Sequence, residues 1–206
     1  IAGETEPVSV INVARPSLPK TRIEELVEKL EPKKDEWDTE VLSDVVGRQL
    51  KILSEILQAS NETDFKQVSN LVTEDFVCQT LRPVQLGKAF DDGAIMVRRW
   101  DSAPEFDRDE VAHGEKALIK ALQTFHNSFE QLEDFRISLK LYRIEKMELH
   151  FSTWVLVETY HRQGENGVQQ NATWRCQWAY PPAETSEPPR LMRIDLEQYE
   201  NIALEN

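Results

Sequence analysis

VQQNATWRCQWAY, residues 168–180, alternates in character from one residue to the next. Ala172, Trp174, Cys176, Trp178 and Tyr180 are apolar, whereas Gln169, Asn171, Thr173, Arg175 and Gln177 are polar. A period of two puts successive side chains on opposite faces of an extended chain, so the stretch predicts a strand with one buried face. Upstream, FSTWVLVETYHR (151–162) is rich in β-branched and aromatic residues, and Gly164-Glu165-Asn166-Gly167 separates the two runs as a hairpin loop would. The two strands are therefore expected as antiparallel neighbours. Before them, RISLKLYRIEKM (136–147) sets Ile137, Leu139 and Leu141 on one face until Tyr142 and Ile144 shift the phase. A bulge near Leu141 or Tyr142 accounts for that shift. After a proline-rich connection (181–189), the last run (191–199) alternates Met192, Ile194 and Leu196 against Arg193, Asp195 and Glu197. Proline has no N–H to give to a ladder, so the connection is expected outside the sheet.

Everything upstream of this meander reads as helices and turns that cover one of its faces. Residues 1–20 hold Pro7, Pro16 and Pro19 without periodicity and predict an extended arm. Ile23, Leu26, Val27 and Leu30 recur at helical spacing behind Thr21 and stop before Pro32, a short amphipathic helix. Residues 1–34 are thus assigned to an arm carrying that helix, and 35–206 to a single α+β domain. A longer helix is expected from Asp35 or Asp38 to about Ala59, its stripe made of Trp37, Val41, Leu42, Val45, Ile52, Leu53, Ile56 and Leu57. Gly47 inside it costs about 1 kcal/mol relative to Ala, which points to a close packing contact there. A third helix, from Thr63 or Asp64 to Val72, turns Phe65, Val68 and Leu71 inward and leads to a first strand at 76–81. Residues 82–110 are the least regular; 94–100 predicts a short strand pairing with that first strand or with the sheet edge. The acidic cluster at 101–110 predicts a solvated loop, since it lacks the regular oxygen-ligand spacing of a calcium site. Residues 111–132 predict a last long helix with Leu118, Ile119, Leu122, Phe125 and Phe129 on one stripe and His113 and His126 elsewhere.

With 206 residues the chain suits one domain and a tail. A formal charge of −13 and a pI near 4.8 argue against nucleic acid and against an anionic membrane surface, both of which select Lys and Arg. No apolar run approaches the roughly 18 residues of a membrane-spanning helix, so a soluble chain with no span is expected. The chain opens at Ile1 without an initiator Met. We expect from this a removed leader or anchor, or a fragment boundary, which admits an exported or periplasmic location without excluding the cytoplasm. Cys78 and Cys176 stand among apolar residues and are expected as buried free thiols; neither has metal-site spacing, and no metal or other cofactor is expected. Asn61-Glu62-Thr63 and Asn171-Ala172-Thr173 match the glycosylation triplet by letter. No G-x-G-x-x-G, P-loop, H-E-x-x-H or G-x-S-x-G occurs.

The order helix, helix, strand pair, helix and meander resembles the cone-shaped, cystatin-like α+β fold of the nuclear transport factor two-like superfamily, which includes SnoaL-like cyclases and ketosteroid isomerase. The residues that carry the resemblance are the long helix at 42–57, Asp64-Phe65, Leu71-Val72-Thr73-Glu74-Asp75-Phe76 and the meander. The resemblance implies a curved antiparallel sheet wrapped around the N-terminal helices, with a pocket at the wide end where enzymes of the superfamily place an Asp, His or Tyr. The segment from Leu81-Arg82-Pro83 to Val97-Arg98-Arg99 also resembles a region upstream of repeat modules in secreted bacterial proteins, which implies an accessory domain of a longer polypeptide.

A carboxylate or imidazole in a desolvated pocket has its pKa moved toward neutrality and can shuttle a proton beside a carbonyl. Glu158, on a face with Trp154, Leu156 and Tyr160, is the foremost general-base candidate; the competing reading makes it half of a cross-strand ion pair with Arg175. His150 and His161 bracket the same strand and read as surface histidines, with catalysis as the alternative. Trp154, Tyr160, Trp174 and Trp178 are candidate pocket residues for a small apolar ligand, against a reading of the tryptophans as plain core. The favoured expectation is a non-catalytic ligand-binding or protein-association domain that dimerises, or docks on a neighbouring domain, through its sheet face. Phe151, Thr153, Val155, Val157 and Thr159 oppose the Trp154 face, so both faces call for cover. The alternative is a small isomerase, dehydratase or cyclase acting on an apolar carbonyl compound through Glu158 or a histidine.

Overall fold

The computed structural model describes residues 37–59, 68–78, 80–83, 85–100, 112–129, 133–181 and 187–204. The chain divides into two units, Ile1–Asp38 and Thr39–Asn206. The expected arm, the short helix at 21–30, the start of the third helix, the acidic cluster at 101–110 and the middle of the proline-rich connection lie outside the described residues.

Four long strands form the meander: β4 (Glu133–Lys146), β5 (His150–Gln163), β6 (Asn166–Ala179) and β7 (Arg190–Leu204). β5 and β6 pair in unbroken antiparallel register from His150 opposite Ala179 to Gln163 opposite Asn166. Gly164 and Glu165 close that hairpin as a two-residue turn, and Gly164 takes a φ of 65° that a side chain would resist. The predicted bulge is present: β4 slips register against β5 between Leu141 and Arg143, leaving Tyr142 as the extra residue.

β7 departs from the alternation read in its sequence. Its register against β6 slips between Gln177 and Trp178 and again between Thr173 and Trp174, which makes Met192 and Glu197 extra residues. The first bulge reverses the phase at the strand's start, so Leu191 is buried and Met192 exposed, while Ile194 and Leu196 stay inside as expected. A bulge bends and twists its strand, and with a further slip of β4 between Glu133 and Arg136 four of them on two strands curve the sheet.

Three shorter strands complete a seven-stranded sheet of order β2-β3-β7-β6-β5-β4, with β1 added beside β7. β3 (Ile95–Arg99) pairs antiparallel with the C-terminal end of β7, and β2 (Gly87–Asp91), which sequence reasoning left as irregular, is its hairpin partner. β1 (Val72–Cys78) runs parallel to the N-terminal end of β7, the one parallel pairing in an otherwise antiparallel sheet among the described residues. It starts at Val72, four residues before the expected strand, so the third helix is cut back to a 3₁₀ turn at 68–71 within the described residues. β1 and β3 meet the same edge of β7 at opposite ends.

The long helix α1 (Trp37–Ala59) buries Val46, Gln49, Leu50, Leu53, Ile56 and Leu57. That stripe is rotated from the expected one: Val41 is 64% exposed, and Gln49 is inside because its amide donates to the Pro189 carbonyl. Gly47 faces outward with nothing within 4 Å of a Cβ built on it, so no close contact explains it. The second helix, α2 (Gly114–Asn127), is shorter than 111–132 but has the expected inner face: Leu118, Leu122 and Phe125 are buried, and Phe129 follows in the turn.

The helices cover one face of the sheet. Phe151, Val155, Val157, Trp174, Cys176, Trp178, Leu191 and Ile194 meet them there in one apolar cluster. Burying each large side chain contributes about 1.5–3 kcal/mol. Phe125 stands edge-on to Trp174 at 5.9 Å between centroids, and Trp178 donates its indole N–H to Thr153 Oγ1 at 2.9 Å. Neither cysteine is in a disulfide; Cys176 is buried as expected, which pushes its thiol up to about 12, while Cys78 is half-buried and desolvation raises its thiol as well.

Candidate functional site

The opposed pairs along β5 and β6 settle which predicted site residues share a face. Val155 faces Trp174 and Phe151 faces Trp178, whereas Trp154 faces Arg175. The four candidate pocket aromatics are thus not brought together: Trp174 and Trp178 are fully buried in the core, and Trp154 and Tyr160 stand on the opposite, outer face. Glu158 is also on that outer face, ion-paired at 2.7 Å to Lys140 of β4 rather than to Arg175. His150 is half-buried at the start of β5.

The outer face is also less apolar than the sequence suggested. Phe151, Thr153, Val155, Val157 and Thr159 form the helix-covered side, so only the Trp154 side remains to be covered. Trp154 is covered there by its own chain: Arg143 and Arg175 lie 4.4 and 5.5 Å from the indole centre, and its N–H donates to Glu197 at 2.9 Å. Arg193 and Asp195 pair at 2.7 Å beside it. Trp154 is left 8% exposed and Tyr160 41%.

His161 behaves differently from its reading as a surface histidine. It is an odd-numbered residue of β5, so it follows Thr159 onto the inner face, and it is 4% exposed. Its ring stands edge-on to Phe129 at 5.5 Å, and its Nδ1 has no hydrogen-bond partner. Burial, and secondarily the charge of Arg82, hold its pKa below the usual 6.5, so the imidazole is neutral at pH 7.

Arg82 is set in place by its own turn. The Thr80 hydroxyl donates to the Arg82 carbonyl and accepts from the Arg82 N–H at 3.3 Å, while Leu81 and Pro83 on either side are buried. The guanidinium then lies 5.7 Å from the Phe129 ring centre and donates through Nε to the Tyr199 hydroxyl at 3.1 Å. Tyr199 in turn donates to Gln170 Oε1, and burial raises its pKa. Arg82, Tyr199, Gln170 and His161 therefore form a polar group at one end of an apolar core.

Arg82 of this group borders a cavity of about 820 Å³ between α2, residues 80–83 with Leu86, β3 and β7. Leu81, Pro83, Leu86 and Phe125 supply apolar wall, and Arg82, Arg98 and Lys120 supply charge. A smaller space of about 430 Å³ adjoins it, sharing Arg82, Arg98, Ser128 and Asn201 and reaching His161 and Gln170. Apart from His161, the sequence reading singled out none of these residues for the site. One signal was present: Gln170 is a polar residue on the apolar phase of β6. Arg82, Arg98, Lys120 and Tyr199 come from four separate elements and carry no local mark. No cluster of metal-ligating side chains occurs among the described residues.

No family model matches the sequence, and no curated protein matches it. Solved structures do. A candidate scytalone dehydratase from Novosphingobium aromaticivorans aligns over 82% of this chain and 89% of its own, at 12% identity and a TM-score of 0.50. An NTF2-like protein with a cystatin-like fold from the same organism covers 85% and 88%, at 12% identity and 0.49. A protein from Catenulispora acidiphila covers 79% and 94%, at 14% identity and 0.48. At such identities the likeness speaks of the fold alone.

Proposed function

Starting from a chain with the nuclear transport factor two-like, cystatin-like α+β fold, we propose a non-catalytic binding domain that holds a small ligand in the cavity beside α2. The observation that carries this is the cavity itself. Trp174, Trp178 and Phe125 fill the helix-covered side of the sheet, yet about 820 Å³ is left at one end, within the range of small-molecule sites. Apolar wall and a few fixed polar groups are the usual makeup of such sites. Ala121 is a half-buried lining residue on α2, so Ala121→Trp fills the space from a helix surface. An environment-sensitive apolar dye should bind the native chain and lose most of its signal with Ala121→Trp, at an unchanged melting temperature. Equal dye binding by both proteins would count against the cavity as the site.

A second reading, a small isomerase, dehydratase or cyclase acting on a carbonyl compound, is favoured by one observation. His161 is a neutral buried imidazole with an unpartnered Nδ1 at the adjoining space, the state a proton acceptor needs. Glu158, salt-bridged on the other face, has no such setting. Deuterium exchange at the α-carbon of a bound ketone that disappears with His161→Gln would favour the enzyme. Association through the outer face, as a homodimer or on a neighbouring domain, rests on Tyr160 and is read by light scattering of native chain against Tyr160→Lys. A lower mass for the variant supports it, and equal monomeric masses remove it.

A further inference from the structure

We infer that the ligand of this cavity is an amphipathic anion, a small molecule with an apolar body and a negatively charged headgroup. This deepens the cavity reading above and rests on it. The chain as a whole is strongly acidic, with 37 Asp and Glu against 24 Lys and Arg. The cavity reverses that balance. Among the described residues, no Asp or Glu lines it or the adjoining space, and the charged residues that do are Arg82, Arg98 and Lys120.

These charges are not consumed by the fold. On the outer face of the sheet Lys140 pairs with Glu158 and Arg99 with Glu200. Arg98 is the immediate neighbour of Arg99, but strand alternation sends it to the inner face, opposite Asn201, and away from Glu200. Neither Arg98 nor Lys120 has an ion-pair partner within 4.0 Å among the described residues, and Asp91, whose pKa Arg98 helps to lower, pairs with Lys88 instead. Arg82 is held by a phenol and an aromatic ring, which fix the guanidinium without neutralising it. A partly enclosed cavity strengthens the attraction of such cations for an anion relative to open water.

The rest of the wall fixes the other half of the ligand. Leu81, Pro83, Leu86 and Phe125 offer no hydrogen bond from their side chains, so a fully polar anion such as free phosphate would leave that surface wet. A headgroup near Arg98 and Lys120 with an alkyl or aryl body against Phe125 satisfies both parts at once.

Calorimetric titration of the full chain with octanoate and with 1-octanol separates the two levels of the argument. The expected result is octanoate binding at least tenfold tighter than octanol and weakening as sodium chloride is added. Arg98→Gln and Lys120→Gln change exposed side chains and should each remove most of that preference while leaving octanol binding alone. Equal affinity for the two ligands would leave the cavity as a binding site and overturn the anion. Binding of neither would overturn both, and a variant that lost both ligands in the same proportion would make these cations structural.

Discussion

Individual side chains in this protein are governed by which face the local backbone assigns them, and neighbours in sequence meet opposite fates. Thr153 and Trp154 are adjacent, yet one accepts the Trp178 indole N–H in the core and the other lies under two guanidinium groups outside. Thr153→Val keeps the shape and removes the acceptor, stranding a buried N–H; urea unfolding should show a loss of about 1–3 kcal/mol. Thr153→Ser, which keeps an acceptor, should cost less. Gly47 gives the opposite sign. It is exposed within α1 with open space around it, so Gly47→Ala should raise stability by about 1 kcal/mol through helix propensity alone.

At the scale of elements, the placement of α2 against β1 depends on one backbone conformation. Gly114 opens the helix at a φ of 62°, and a Cβ there would stand 2.8 Å from the Glu74 carbonyl oxygen of β1. Both neighbouring contacts, the Val77–His113 bridge and the buried face of Leu118 and Leu122, need that approach. Gly114→Ala is therefore expected to cost about 2–3 kcal/mol in denaturant unfolding, combining left-handed strain with the clash, and to weaken dye binding in the cavity that α2 walls. A neutral effect would show that α2 can dock without this turn. The four meander strands and both helices were legible in sequence because each declares itself over a dozen residues through a single period. The bulge at Tyr142 was legible too, since β4 carries the phase break in its own apolar pattern. The bulge at Met192 was not: Leu191 and Met192 are both apolar, so either phase fits, and register with β6 chooses. The five-residue strand β2 has too little pattern to announce itself and exists because β3 lies beside it.

Across the whole molecule, the candidate site is a product of assembly. His161 reaches the inner face at one end of β5, Arg82 comes from the turn at 80–83, and Tyr199 comes from β7. The buried imidazole has a consequence for pH. Its folded pKa lies below 6.5, so the unfolded chain takes up the proton first as pH falls. Stability from this group is complete above pH 6.5 and is lost as pH drops through the folded value, with a slope of at most about 1.4 kcal/mol per pH unit. Unfolding free energies at about pH 7 and about pH 5 should differ less for His161→Gln than for the native chain. Parallel pH dependences would mean that the imidazole is solvated in the fold. Tyr199 provides a check at alkaline pH: burial raises its pKa, so in a spectrophotometric titration Tyr199→Phe should remove a phenol that ionises above the usual value of 10.

The order of residues was sufficient to determine the class of the fold, the presence of the four long strands and the inner rows of β6 and α2. Those properties depend on alternation or on a 3.6-residue repeat, and each is complete within one segment. Tertiary structure alone decided the partner of Glu158, the phase of β7, the inward turn of His161 and the gathering of Arg82, Arg98 and Lys120 around one cavity. Each of these depends on register or curvature between segments far apart in the chain, and no local stretch of residues contains that information.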